Sequence, residues 1–207
     1  MNGHFGNGLD RSGSDRPGSP GDITYTLMLI LATRFILTVI GVLARVLIQP
    51  LYKNPYPWNF TKSAWLAIWG VWDTGWYLDI AISGYSSHIY HHPAVFNQAN
   101  YAFFPLYPMT MRVLSPIYGG AYNAGLVISN ISLFLACLVL IRLVSLDHDA
   151  PTARRAAKYA ILLPTAFIFS GVFTESLFLF LIVSAFYLVR PDRFPAAGKI
   201  GRASWRE

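Results

Sequence analysis

Three long apolar runs constrain what this chain can fold into more than any other feature. They extend from Tyr25 to Ile48, from Tyr122 to Val144 and from Tyr159 to Val189. As single helices the first spans about 36 Å and the last about 46 Å, against a bilayer core of about 30 Å. Charged residues make up only 13% of the sequence, well below the ~25% of soluble domains. The expected fold is therefore all-α: a polytopic transmembrane helix bundle of about four membrane helices, with a large outer loop carrying interfacial helices.

The stretches between the runs set the organisation. Residues 1–22 are rich in Gly, Ser, Asp and Pro and have almost nothing to bury, so they read as a disordered tail. That tail also sets the first run too far from the start, and the run is too long, for a signal peptide. Pro50 and LYKNPYPW end the run. Arg45 lies near its end, where it can snorkel. Arg34 lies within it, where a charge needs a helix-facing or wet environment. Residues 61–71 are apolar but too short to cross, and suit an interfacial helix together with Trp58, Trp65, Trp69 and Trp72. A further helix can follow from Trp72 to Tyr85, closed by Gly84. Pro164 and Thr174-Glu175-Ser176 divide the last run into two short helices meeting in a hairpin. Lys199 to Glu207 resembles translated sequencing-adapter read-through. Residues 197–207 thus read as a non-native tail, and residues 23–196 as the membrane-embedded N-terminal region of a longer protein.

The net charge of +6 is spread beside the apolar runs, not gathered into a stripe. This favours contact with membrane lipids over nucleic acid, for which no recognition module is present. Arg142, Arg154, Arg155 and Lys158 place the 142–158 connection on the cytoplasmic side. The basic segment after Val189 and the N-terminal tail lie on that side too. The loop 50–121 and the hairpin tip at Glu175 then share the opposite side. Cys137, the single cysteine, excludes an intrachain disulfide and argues against a cysteine-based metal site.

The outer loop is where chemistry concentrates. Trp72 to Pro108 reads WDTGWYLDIAISGYSSHIYHHPAVFNQANYAFFPLYP, too rich in aromatics, amides and ionisable groups for a mere connection. Asp73 lies at the membrane–water boundary beside Trp72, Trp76 and Tyr77. Partial desolvation there would raise its pKa toward the range of a general base, and the aromatic faces suit stacking on a sugar. From spacing alone, a solvated acid and a catalytic carboxylate both remain open for Asp73. Asp79, six residues on, would face away on a helix. His88, His91 and His92 lack helical ligand spacing and a nearby carboxylate, so no metal site is expected. The prolines of NYAFFPLYP fix a turn leading toward the next membrane helix. Arg112 can pair with a lipid-linked phosphate. Glu175 suits the first turn of a helix, and a carboxylate near the membrane is also a candidate substrate contact.

Together WDTGWYLDIAISGY, AFFPLYP and LLPTAFIFSGVFTESLF resemble the PIG-V-type mannosyltransferases of the C-type glycosyltransferase superfamily. The resemblance rests on Trp72-Asp73, Ile80-Ala81 with Gly84-Tyr85, Phe103-Phe104-Pro105 with Pro108, and Thr174-Glu175-Ser176. Ile82-Ser83 departs from it, since the family often has Glu-His there. The resemblance implies an inverting mannosyltransferase without a cofactor, acting on the outer or luminal face. It would use a polyprenyl-phosphate-linked mannose donor and a glycan or glycolipid acceptor, with Asp73 as the base. Such an enzyme would be a multi-pass protein of the plasma membrane in a prokaryote or the endoplasmic reticulum in a eukaryote. The alternatives are a transporter, with Arg34 and Glu175 lining a polar path, and a non-catalytic membrane subunit.

Overall fold

A serine and a proline start the first helix. Ser19 is its N-cap, accepting from the Asp22 N–H, and Pro20 opens the first turn, where its missing N–H is no loss. In the computed structural model, which describes residues 19–48, 59–87 and 98–190, this helix (α1) runs Pro20–Leu47. It begins before Tyr25 because the cap, not the apolar run, decides where the ladder starts. Ser19 to Asp22 thus belong to the helix and not to a tail; residues 1–18 and the 197–207 segment lie outside the described residues. α1 buries one narrow ridge, Asp22, Thr26, Ile30 and Arg34, with Leu29 packed beside it, and many of its other apolar side chains, among them Leu31, Phe35 and Ile40, face outward. Arg154 donates to Asp22 at 2.7 Å and fixes the start of α1 to a later helix.

The remaining helices are α2 (Ala64–Ala67), α3 (Thr74–Ser83), α4 (Leu106–Tyr118), α5 (Ala121–Val144), α6 (Ala150–Leu162) and α7 (Glu175–Val189). No strand occurs among the described residues. α1 and α5 are long and apolar enough to cross a membrane. The interfacial helix expected over 61–71 shrinks to the single turn of α2. Its last carbonyls are taken from outside: the Tyr122 hydroxyl donates to Leu66 O at 2.7 Å and Arg45 to Ala67 O at 2.7 Å. Arg45 therefore joins α1 to α2 instead of only reaching for headgroups. α4, which hydropathy left within the outer loop, is a separate helix between Pro105 and Gly119, whose φ of 71° closes it in a left-handed cap.

α5 is the axis of the bundle. Small residues on its buried faces, among them Ala124, Gly125, Ser129, Ser132 and Ala136, let neighbouring backbones approach closely. One cluster around it, with Tyr77, Tyr107, Met111 and Val172, forms the end that carries α3 and α4. A second, with Ile30, Cys137, Ala153 and Ile161, forms the opposite end. Gly125 is the tightest point on α5: a Cβ there would lie 2.7 Å from Val172 Cγ1 and 3.2 Å from Met111 Cε. Gly125→Ala should destabilise the protein by about 1–2 kcal/mol through overpacking, read as a lower melting temperature in detergent.

The last apolar run departs from the two-helix hairpin expected of it. α7 does start at Glu175, but α6 begins at Ala150, capped by Asp149, and stops at Leu162. Pro164 is the cause, because it pushes the preceding Leu163 out of helical backbone, to φ −55° and ψ 140°. Residues 163–174 then rise as irregular chain with one 3-10 turn at Ala166–Phe169. Inside a bundle such a segment needs protein partners for its polar backbone, and it has them. Thr74 Oγ1 donates to Val172 O, Ser129 Oγ to Phe173 O, Asn130 to Ser170 O and Ser176 Oγ to Phe169 O. Ser129 lies eight residues into α5, so α7 begins about 12 Å below the start of α5. The two helices run in the same direction, and an Arg190–Asp147 ion pair joins their far ends.

Candidate active site

Asp73 is presented by a turn that is held on both sides. Trp72 before it has φ 47°, the only positive φ among described non-glycine residues, which is strained for a bulky side chain. The Trp72 ring leans on Phe167 and Phe173, with centroids at 5.7 and 6.3 Å. Thr74 after it is fully buried; its hydroxyl accepts the Val71 N–H at 3.2 Å and donates to Val172 O at 3.3 Å. Asp73 itself is the N-cap residue of α3, yet its side chain makes no capping bond. Asp73 is exposed on the protein surface.

The structure brings Glu175 to this turn from the far end of the sequence. Glu175 is half-buried, and it feels the negative charge of Asp73 as a smaller influence than that burial. Glu175 Oε2 is buried with no hydrogen-bond partner among the described residues. Tyr77, one turn after Asp73 on α3, is buried and lies 3.2 Å from Thr174 Oγ1 through its hydroxyl. Burial pushes its phenol above the usual value; the Thr174 hydrogen bond opposes this, and the charges of Glu175 and Asp73 add to it. Tyr77 thus stays protonated and able to donate across the neutral range. Tyr77 also packs edge-on against Phe103 and Tyr107.

Beside this polar pair opens a cavity of about 410 Å³, lined by Tyr77, Thr174, Phe103, Phe104, Leu177 and Leu181 among others. Its walls are largely hydrocarbon and aromatic; the hydroxyl of Tyr107, also on the wall, is taken up by Gly125 O and Ser129. It follows α7 from Thr174 to Leu181, about 9 Å of helix below Glu175. The cavity is apolar; Thr174 on its wall directly precedes Glu175, and Tyr77 lies one turn after Asp73.

Other sequence candidates serve the scaffold. Arg112 donates to the carbonyls of Ile80, Ala81 and Ile82 at 2.6–3.2 Å, where a cation favours the C-terminal end of α3. That end is about 10–13 Å along α3 from Asp73. Trp76 stacks on Phe103 with the rings 23° from parallel. Asp79 accepts from Asn100 at 2.8 Å, while Asn100 also holds Gly84 O and the Ser86 N–H. His88, His91 and His92 lie outside the described residues. Among those described, no three potential metal ligands converge. Sequence reasoning missed Thr74 and Asn100, two fully buried polar side chains. The contacts that bury them reach across the chain, to Val172, 98 residues from Thr74, and to Asp79, 21 residues from Asn100.

An all-helical chain with two helices long and apolar enough to cross a membrane among its described residues belongs, by length and composition, with helical membrane proteins. The chain belongs to the mannosyltransferase (PIG-V) family, whose model matches residues 23–196. It is accordingly a glycosyltransferase, and mannose transfer between a sugar donor and an acceptor is its reaction. No curated protein and no solved structure matches it.

Proposed function

We propose that this protein transfers mannose from a polyprenyl-phosphate-linked donor to a hydroxyl of a glycan or glycolipid acceptor, with inversion at the anomeric carbon. The observation that carries this reading is the apolar cavity that begins at Tyr77 and Thr174, next to Asp73 and Glu175. A donor with a hydrocarbon tail and a sugar-phosphate head has that same polarity. The tail lies along α7 and the mannose sits at the carboxylates. Asp73 takes the acceptor proton as the oxygen attacks the anomeric carbon from the face opposite the phosphate. The bond from that carbon to the phosphate oxygen breaks, and polyprenyl phosphate leaves with the electron pair. Glu175 Oε2, with unfilled acceptor capacity, receives a sugar hydroxyl. Trp72 supplies an exposed ring edge for the mannose, and Tyr77 a hydroxyl at the cavity mouth, with Trp76 shaping the wall behind it.

In this reading residues 23–196 form one membrane-embedded unit with four crossings: α1, α5, α6 with the irregular segment after it, and α7. Basic residues hold the Arg154 end in the cytoplasm, and the Asp73 end faces the outer or luminal side, of the plasma membrane or the endoplasmic reticulum. The test is donor choice. Membranes carrying the protein should transfer labelled mannose from polyprenyl-phosphate mannose and not from GDP-mannose when lipid-carrier synthesis is blocked, and the product linkage should be inverted by NMR. Transfer from the nucleotide sugar alone, or retention of configuration, would overturn it.

A further inference from the structure

We propose that Thr74 is a positioning residue that sets the separation of Asp73 and Glu175 by tying the Asp73 turn to the irregular segment 163–174. This rests on the reading of Asp73 as the base. Four contacts make the tie. The Thr74 hydroxyl bridges Val71 N and Val172 O. Val172 N donates to Trp69 O at 3.0 Å. The Trp72 ring lies against Phe167 and Phe173. Tyr77 meets Thr174. Every one of them links 69–77 to 167–174, and Glu175 follows directly.

The energetics say why a tie is needed. Two carboxylates that repel each other drift apart unless the backbone prevents it, and Trp72 sits in a left-handed conformation that relaxes if its surroundings loosen. Gly171 shows how tightly the segment lies on the turn: a Cβ there would meet Trp69 O at 3.0 Å and Phe173 ring carbons at 2.6 Å. Thr74 is the only side chain of the turn whose hydroxyl reaches both pieces of backbone among the described contacts. Its β-methyl fills the buried side, so Ser can keep the hydrogen bonds and Val can keep the shape, but neither keeps both.

The experiment combines kinetics with a distance measurement that needs no activity. Thr74→Val should lower kcat for transfer from labelled polyprenyl-phosphate mannose by about 10- to 100-fold with KM for the donor unchanged, and Thr74→Ser should restore most of it. Separately, Asp73→Cys with Glu175→Cys, in a Cys137→Ala background, should cross-link rapidly with a short bis-methanethiosulfonate. Adding Thr74→Val should slow that cross-linking severalfold, and Thr74→Ser should not. If Thr74→Val fails to accumulate, Phe167→Leu loosens only the Trp72 contact and should shift both readouts in the same direction. Wild-type cross-linking in Thr74→Val, or in Phe167→Leu used in its place, would overturn the inference whatever happens to kcat. If Asp73→Asn keeps full transfer while cross-linking still depends on Thr74, the assignment of the base fails and the tie between the carboxylates stands.

Discussion

Asp73→Asn is expected to lower mannose transfer by about 100- to 10,000-fold, the contribution typical of a positioned general base. Insertion should be unchanged, and thermal stability unchanged or slightly higher. The second half of that expectation comes from the structure. The Asp73 side chain is exposed and makes no capping bond to α3, so an amide of the same shape removes no scaffold contact. It also relieves the repulsion from Glu175, which can only favour the folded state. An amide cannot accept the acceptor proton at neutral pH, and the loss should fall on kcat. Initial rates with labelled polyprenyl-phosphate mannose, alongside a melting curve in detergent, separate the two effects. A wild-type rate in Asp73→Asn would place the base elsewhere.

How much of the fold and of the candidate site is legible in the sequence follows from how each part is encoded. The apolar runs that became α1 and α5 are local signals, and hydropathy finds them. Gly84 ends α3 with φ 92°, a constraint also written in one residue. Glu175 on the same side as Asp73 is read from crossings and basic residues, and the fold joins their two segments through Thr74–Val172 and Tyr77–Thr174. By contrast Arg112 looks the same in sequence whether it binds a phosphate or three carbonyls; only folding shows that α3 ends beneath it. Pro164 announced a break, but a break between helices and a long irregular ascent have the same local sequence. What distinguishes them is the set of distant donors, Thr74, Ser129 and Asn130, that satisfy the ascending backbone.

The same logic separates the enzyme from the transporter alternative, through Arg34. It lies 14 residues after Pro20 and 13 before Leu47, near the middle of α1, and is 8% exposed. None of its three guanidinium nitrogens has a hydrogen-bond partner among the described residues. Its neighbours on that ridge and beyond are Ile30, Thr26 and Cys137, none of them a counter-charge. Where α1 spans a membrane, a buried cation near its middle costs about 3 kcal/mol, and replacing it with an apolar side chain removes that cost. Arg34→Leu should therefore raise stability by about 3 kcal/mol, seen as a higher melting temperature in the same detergent. Transfer of mannose should be unaffected, because Asp73 and Glu175 are held by α3, α7 and the segment before α7, and α1 touches none of their partners described above. A polar transport path lined by Arg34 and Glu175 predicts the reverse, with function lost as the cation is removed. If Arg34→Leu instead melts earlier, the guanidinium has an anionic partner in the assembled protein, and that partner becomes the next thing to find.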